Sequence, residues 1–141
     1  MSDTSPRLTL THEGALRVLQ AAIERASAMG RPQCIAVVDG SGRLLAFVRM
    51  DGAKFLSIET AQRKAVTAAD RRSATGGIEP GHGISLGIVT EGRLVNLKGG
   101  MPVEVDGQVL GAVGVSSGSG EEDLEVAKAG VGAIPGAKTE W

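Results

Sequence analysis

Apolar residues recur at helical spacing near the start of the chain and in strand-like runs after it. Over residues 11–29 one helix face carries Ala15, Leu16, Leu19, Ala22, Ile23 and Ala26. Gly30 and Pro32 follow and end the predicted helix. Two short apolar runs come next, at residues 34–38 and 44–48, with turn-forming residues between them. This pattern predicts a β-hairpin.

The middle of the chain combines a second helical pattern with several short apolar clusters. A helix is predicted over residues 55–72, where the apolar stripe is mostly alanine. Residues 73–85 are rich in Gly, Pro and Ser and contain His82, which predicts a long irregular connection that carries function. Apolar clusters between Gly-bearing turns predict short strands near residues 86–90, 93–98, 101–105 and 109–115.

The last helix has the clearest start signal in the sequence. Ser119 stands three residues before Glu122, which fits a capping box. Its apolar face consists of Leu124, Ala127, Val131 and Ile134. Helices and strands are segregated along the chain, so we expect an α+β fold in which helices pack on an antiparallel sheet.

Composition narrows the class of protein. A length of 141 residues suits a single domain over residues 1–141. A net charge of -1 and an aromatic content of 2% argue against a nucleic-acid partner. No apolar stretch approaches the roughly 20 residues that cross a bilayer, and the first residues lack a signal-peptide pattern. We therefore expect a cytoplasmic protein with no membrane partner, in which the single cysteine, Cys34, is a buried strand residue.

Several motifs together resemble one known family. The segments GGMPV at 99–103 and DGQVLGAVGVS at 106–116, followed by Glu122 and Asp123, are similar to the C-terminal signature of the GlcG/HbpS family. The domain of that family carries a haem-degrading label. Upstream, VVD at 37–39, RMDGA at 49–53 and KAVTA at 64–68 match the same family in the same order. The resemblance spans about residues 8–134.

The resemblance implies a fold and a range of functions. The fold is a profilin-like α+β domain with a five-stranded antiparallel sheet, and family members commonly form symmetric homo-oligomers. The family includes haem-binding proteins, the C-terminal haem-binding domains of PduO-type proteins, and small proteins encoded beside enzymes of catabolic pathways. Because likeness of fold does not transfer chemistry, the individual residues decide which of these functions applies.

Haem is the first ligand to consider. Its iron needs an exposed imidazole beside an apolar slot, and its propionates need cations. His82 is the candidate iron ligand, with Arg49, Arg71 or Arg72 as the cation. The alternatives for His82 are an acid/base role in a pocket and an ordinary solvated loop position. His12 falls in the first turn of the first predicted helix, where a polar residue needs no functional explanation.

A non-haem metal site is a weaker alternative. The two histidines lie about 70 residues apart, and no zinc-binding spacing is present. Only in space could Asp51, Glu59 or Glu104 join His82 around an ion.

A mixed-charge group offers a second kind of chemistry. Arg49 and Asp51 follow the second predicted strand, and Glu59 and Lys64 lie on the helix after it. The pair Gly99–Gly100 would expose backbone N–H groups able to hold a carboxylate or an enolate oxygen. A surface ion pair between Glu59 and Arg63, four residues apart, is the plain structural interpretation of the same charges.

These observations lead to three hypotheses about function. The first is a protein that binds a small organic ligand, with haem to be tested, in a pocket between the His82 loop, the Arg49–Asp51 strand end and the Gly99–Gly100 turn. The alternative is a cofactor-independent isomerase, tautomerase or hydrolase acting on a small carboxylated intermediate. There His82 or Glu59 would move the proton and Arg49 would hold the carboxylate. A structural or regulatory homo-oligomer is the third class.

Overall fold

The computed structural model describes residues 2–141 and contains four helices and four strands. In chain order they are α1 His12–Ala28, β1 Cys34–Asp39, β2 Leu44–Arg49, α2 Ser57–Arg71, α3 Pro80–Val89, β3 Gly100–Val105, β4 Gln108–Ser116 and α4 Gly120–Val131. The predicted first, second and last helices, the hairpin and the strands near 101–105 and 109–115 are therefore confirmed.

All strand pairs in the sheet are antiparallel, and the strand order is β2-β1-β4-β3. Strand β1 lies inside the sheet, where Cys34 pairs with Arg49 on one side and with Ser116 on the other. At the other edge, Gly100 of β3 pairs with Gly114 of β4. The α+β class with an antiparallel sheet is confirmed.

The two faces of the sheet are covered differently. Helices α1 and α4 pack on one face, over a core of aliphatic side chains that includes Val18, Ile35, Val113 and Val126. Helix α2 covers the other face with an alanine stripe that includes Ala61 and Ala65. The sheet thus lies between two helical layers. The layer formed by α2 carries Lys64.

Helix α2 lies close to the sheet because Gly114 has no side chain. A Cβ on Gly114 would overlap the carbonyl oxygen of Ala61 and would stand 2.5 Å from the backbone nitrogen of Ala65. Small residues on the helix and a glycine on the strand therefore allow a backbone-to-backbone approach. This close approach explains why the apolar stripe of α2 is mostly alanine.

The sheet has four strands in the described chain, so the expectation of five is wrong. Residues 86–90, predicted as a strand, instead belong mostly to α3, which also replaces the later part of the predicted irregular connection at 73–85. The Glu79 carboxylate starts this helix by accepting hydrogen bonds from the backbone N–H groups of Gly81 and His82, and Pro80 occupies its first turn. These start signals outweigh the glycines that suggested a loop.

Residues 93–98, also predicted as a strand, do not join the sheet. Side chains on neighbouring elements satisfy their backbone groups instead. The Val95 N–H donates to the Thr67 hydroxyl of α2 over 3.0 Å, and the Thr75 hydroxyl donates to the Leu97 carbonyl oxygen. With these partners the segment runs along α2 and needs no strand beside it.

Candidate functional site

His82 lies on the first turn of α3 and is exposed. Its backbone N–H donates a capping hydrogen bond to the Glu79 carboxylate over 2.9 Å. The imidazole takes no part in this bond. The bonds from the Gly81 and His82 N–H groups hold the pKa of Glu79 below its usual value. The carboxylate therefore remains ionised and keeps the start of the helix in place.

The helix that carries His82 has an exposed apolar surface. Ile84, Ile88 and Val89 are 66%, 74% and 73% exposed. Gly83 and Gly87 lie on the inner side, where a Cβ on each would meet Asn96 and the Leu94 carbonyl oxygen. We call the group His82, Ile84, Ile88 and Val89 the α3 surface. Val89 follows His82 by about two turns and lies on the same side of the helix, while Ile84 and Ile88 lie further round it.

Arg49 and Asp51 lie at the end of β2, exposed, on one edge of the sheet. The Gly99–Gly100 turn leads into β3 on the other edge. Three inter-strand spacings separate the two edges, so the Arg49 and Gly100 backbones stand roughly 14 Å apart or more. Within one chain the structure does not bring these two parts of the predicted pocket together.

The Gly99–Gly100 turn is packed inside the protein. The Gly100 N–H donates to the Thr75 hydroxyl over 2.8 Å, and the Gly99 carbonyl oxygen accepts from the Val115 N–H. A Cβ on Gly99 would stand 2.6 Å from the Val115 carbonyl oxygen. The Gly99 backbone has φ of 128°, in the region that favours glycine. These glycines thus serve a close backbone approach.

Lys64 is buried, and its charge is compensated inside the protein. Its Nζ donates to the Asp123 carboxylate over 2.9 Å and to the Val115 carbonyl oxygen over 2.8 Å. The exposed fractions of the Lys64 and Asp123 side chains are 4% and 3%. Burial raises the pKa of Asp123, and the Lys64 ammonium opposes that rise. The pair joins α2 to α4, a contact that the sequence does not reveal.

The remaining candidates lie on the surface or in the core. Glu59 is exposed on α2, and no ion pair joins it to Arg63 in the part of the chain that the structure describes. His12 is the first residue of α1 and is exposed. Cys34 is fully buried, and burial raises the pKa of its thiol. Both observations agree with the prediction that Cys34 is a buried strand residue.

A metal site built from several side chains is not seen. Among residues 2–141, no three His, Cys, Asp or Glu side chains stand close enough to hold a metal ion together. His82 therefore belongs to no such group of three, and Asp51, Glu59 and Glu104 do not form one with it. No helix in the same range is long and apolar enough to cross a membrane.

A large cleft lies away from the predicted pocket. It has a volume of about 470 Å³ and is bounded by the turn after β1, the end of α2 and residues 90–94. Three arginines line it, Arg7, Arg72 and Arg93, together with Asp70. Arg7 and Arg93 were not predicted as site residues, because they are far apart in the chain and lie outside any motif. We call this feature the arginine cleft.

A smaller recess, of about 160 Å³, lies beside the segment that leads into α3. Arg71 lines it together with Ile78, which precedes the helix cap Glu79. Of the arginines considered for haem propionates, Arg71 thus lies beside the approach to α3, Arg72 lines the arginine cleft and Arg49 lies at the sheet edge.

Comparison with known proteins gives one family and several relatives. The model of the family described as "Haem degrading protein HbpS-like" matches residues 10–132. Protein GlcG of Escherichia coli K12 is 40% identical over 111 residues, covering 78% of this chain and 83% of GlcG. The corrinoid adenosyltransferase PduO of Citrobacter freundii is 31% identical over 134 residues, covering 92% of this chain. This chain spans only 40% of the length of that PduO.

A solved structure agrees in fold. The crystal structure of a PduOC:Heme complex matches with a TM-score of 0.86 and 30% identity, covering 95% of this chain and 100% of that chain. The likeness extends over almost all of the described elements.

Proposed function

The chain belongs to the HbpS-like family, and from that premise we propose that it is a small-ligand-binding protein whose ligand is haem, held by the His82 imidazole on the α3 surface. One observation carries the proposal: an exposed imidazole stands on a helix whose aliphatic side chains are also exposed. The similarity to the PduOC:Heme complex supports the choice of ligand.

The chemistry of the α3 surface fits a haem. A porphyrin needs apolar contact over its face and an axial ligand for its iron. Val89, two turns from His82 on the same side of α3, offers the first and His82 offers the second. Arg71 is the cation that we assign to a propionate, since it lines the recess beside the approach to α3. A haem bound there would supply iron for gas binding or electron transfer.

One helix covers only one side of a flat ligand. We therefore propose that a second copy of the chain covers the other side, so that the protein is a homo-oligomer with haem at a subunit boundary. The exposed Ile88 and Val89 support this arrangement, because contiguous apolar groups on a surface are typical of interaction sites.

The test is a haem titration of the apoprotein, followed by absorbance, on the wild type and two variants. His82→Ala should remove the saturable, stoichiometric complex. His12→Ala is the matched control, since His12 is also an exposed histidine on the first turn of a helix, and it should bind like the wild type. Equal binding by both variants would reject His82 as the ligand.

The second candidate function is turnover of a small carboxylated compound at the end of β2. The observation that favours it is that Arg49 and Asp51 are exposed and form no ion pair among the described residues. Arg49 would hold the carboxylate, and Glu59 or His82 would move the proton. In this proposal Lys64 and Gly99–Gly100 maintain the packing of α2 on the sheet and do not touch the ligand.

A screen of small organic acids tests the second candidate. Arg49→Gln should lower turnover, mainly through a higher KM, while Arg43→Gln, in the turn just before β2, should leave it unchanged. Activity that is equally lost in both variants, or absent in the wild type, would reject this function without affecting the haem proposal.

A further inference from the structure

The arginine cleft contains none of the residues assigned above to haem binding or to turnover. Its walls come from four separate parts of the chain: the N-terminal segment with Arg7, the turn after β1, the end of α2 with Arg72, and the turn after α3 with Arg93. Its volume of about 470 Å³ falls within the roughly 300–1,000 Å³ range of small-molecule sites. It is large enough for a small organic ligand.

The charges in the cleft are unbalanced. Arg7, Arg72 and Arg93 face one carboxylate, that of Asp70. None of the three guanidinium groups forms an ion pair in residues 2–141, where the ion-paired cations are Arg25, Arg31, Lys64, Lys98 and Lys128. Converging positive charges repel one another, and an anion of about two charges would relieve that repulsion.

Two of the guanidinium groups are held by backbone acceptors. Arg7 donates to the Gly40 carbonyl oxygen, and the Arg93 Nε donates to the Thr90 carbonyl oxygen over 3.0 Å. Each bond uses one donor of a guanidinium that has five, so several N–H groups remain for a ligand. The anchoring lowers the entropy cost of binding, because these side chains are already positioned.

The third arginine occupies an unusual backbone position. Arg72 caps the end of α2 with φ of 56°, a left-handed conformation that helices usually give to glycine. A long cationic side chain at this position is favoured by the helix dipole, whose negative end it meets. The same position places Arg72 on the wall of the cleft.

The cleft also has an apolar side. Val66, Ala69 and Leu94 line it between the charged residues. An inorganic ion would use the arginines and leave this side against water. A ligand with a short carbon chain between two anionic groups would use both.

We propose that the arginine cleft binds a small organic dianion of the dicarboxylate class. Paired N–H donors of the guanidinium groups would bind the carboxylates in bidentate fashion, and the carbon chain would lie against Val66 and Leu94. The site is separate from the α3 surface, so it does not depend on haem binding.

The test is calorimetric titration of the full chain with succinate, and with inorganic phosphate and uncharged succinamide as comparison probes. Saturable binding of succinate that is tighter than that of phosphate and absent for succinamide is the expected result. Arg72→Gln and Arg93→Gln should each weaken succinate binding by at least about tenfold. Arg17→Gln removes one positive charge at an exposed position on α1. It is the matched control and should bind succinate like the wild type.

Three results would overturn the proposal. They are no succinate binding, binding of phosphate as tight as that of succinate, and equal weakening by Arg17→Gln. Circular dichroism of each variant confirms that the fold is intact. The His82→Ala variant separates the two sites, because it should lose haem and keep succinate. Loss of both ligands in that variant would contradict a separate dicarboxylate site.

Discussion

Lys64 and Asp123 form a 2.9 Å ion pair that is almost fully buried between α2 and α4. Replacing one partner leaves the other charge buried and unpaired. We therefore expect Lys64→Met to lower the free energy of unfolding by about 3 to 5 kcal/mol, measured by urea denaturation. The double variant Lys64→Met with Asp123→Leu should recover much of this loss. Additive losses in the double variant would show that the two side chains do not act as a pair.

The same pair predicts a pH dependence. Without the ammonium, burial alone raises the pKa of Asp123 in the folded variant above its value in the unfolded chain. A raised folded pKa favours the protonated carboxyl in the fold. The Lys64→Met variant should thus be least destabilised in acid, below the unfolded pKa, and should lose stability as pH rises through the raised pKa. Urea midpoints of variant and wild type across that range measure it. A difference that is constant with pH would contradict this account of Asp123.

Gly114 should tolerate no side chain. A Cβ there would overlap the Ala61 carbonyl oxygen, and both atoms belong to backbone that cannot move without shifting α2. We expect Gly114→Ala to cost about 3 kcal/mol or more. Gly77→Ala is the control, since nothing lies within 4 Å of its Cβ position. Denaturation midpoints compare them, and equal midpoints would refute the close packing of α2 on β4.

The start of α4 depends on a reciprocal cap. Ser119 accepts a hydrogen bond from the Glu122 N–H, and the Glu122 carboxylate accepts one from the Ser119 N–H. Ser119→Ala should lower stability by about 1 kcal/mol. Ser27→Ala, on an exposed part of α1, should change it by less than about 0.5 kcal/mol. Thermal unfolding of the two variants gives the comparison, and an unchanged midpoint in Ser119→Ala would refute the contribution of the cap.

Sequence patterns predicted the elements in which the buried residues recur at a regular helical or strand-like spacing. Helix α1 has a clear apolar face, the hairpin has turn residues between two apolar runs, and α4 has both halves of its cap. Helix α3 escaped prediction because its residues are apolar on the exposed side and glycine on the inner side, which reverses the usual pattern. A signal was present in Glu79 and Pro80, a cap followed by a first-turn proline.

The site was harder to predict than the fold. Lys64 looked like a ligand-binding cation because its partner, Asp123, lies 59 residues away and is brought close only by packing. Gly99–Gly100 looked like an anion-binding turn, yet tight packing of Gly99 against the Val115 carbonyl oxygen and of Gly100 against the Lys64 carbonyl oxygen explains both glycines. The arginine cleft joins residues from four parts of the chain, so no local pattern indicates it. Residues that come together only through tertiary packing leave no recognisable pattern in the sequence.

Self-association should depend on the α3 surface. Ile88→Asp places a charge where we expect a second copy to pack, so it should shift the protein toward monomer in light scattering coupled to gel filtration. Leu16→Asp is the control, because Leu16 is also an exposed aliphatic residue, 54% exposed, on α1. The same shift in both variants, or in neither, would contradict an interface at α3.

The most direct measurement is rescue of the iron ligand. Haem is added to His82→Ala, the absorbance spectrum is recorded, and free imidazole is then titrated in, with His12→Ala treated identically. If His82 binds the iron on the α3 surface, the His82→Ala spectrum should differ from the wild type and return to it as imidazole occupies the vacated position, while His12→Ala stays like the wild type throughout. A wild-type spectrum in His82→Ala before any imidazole is added would contradict the account.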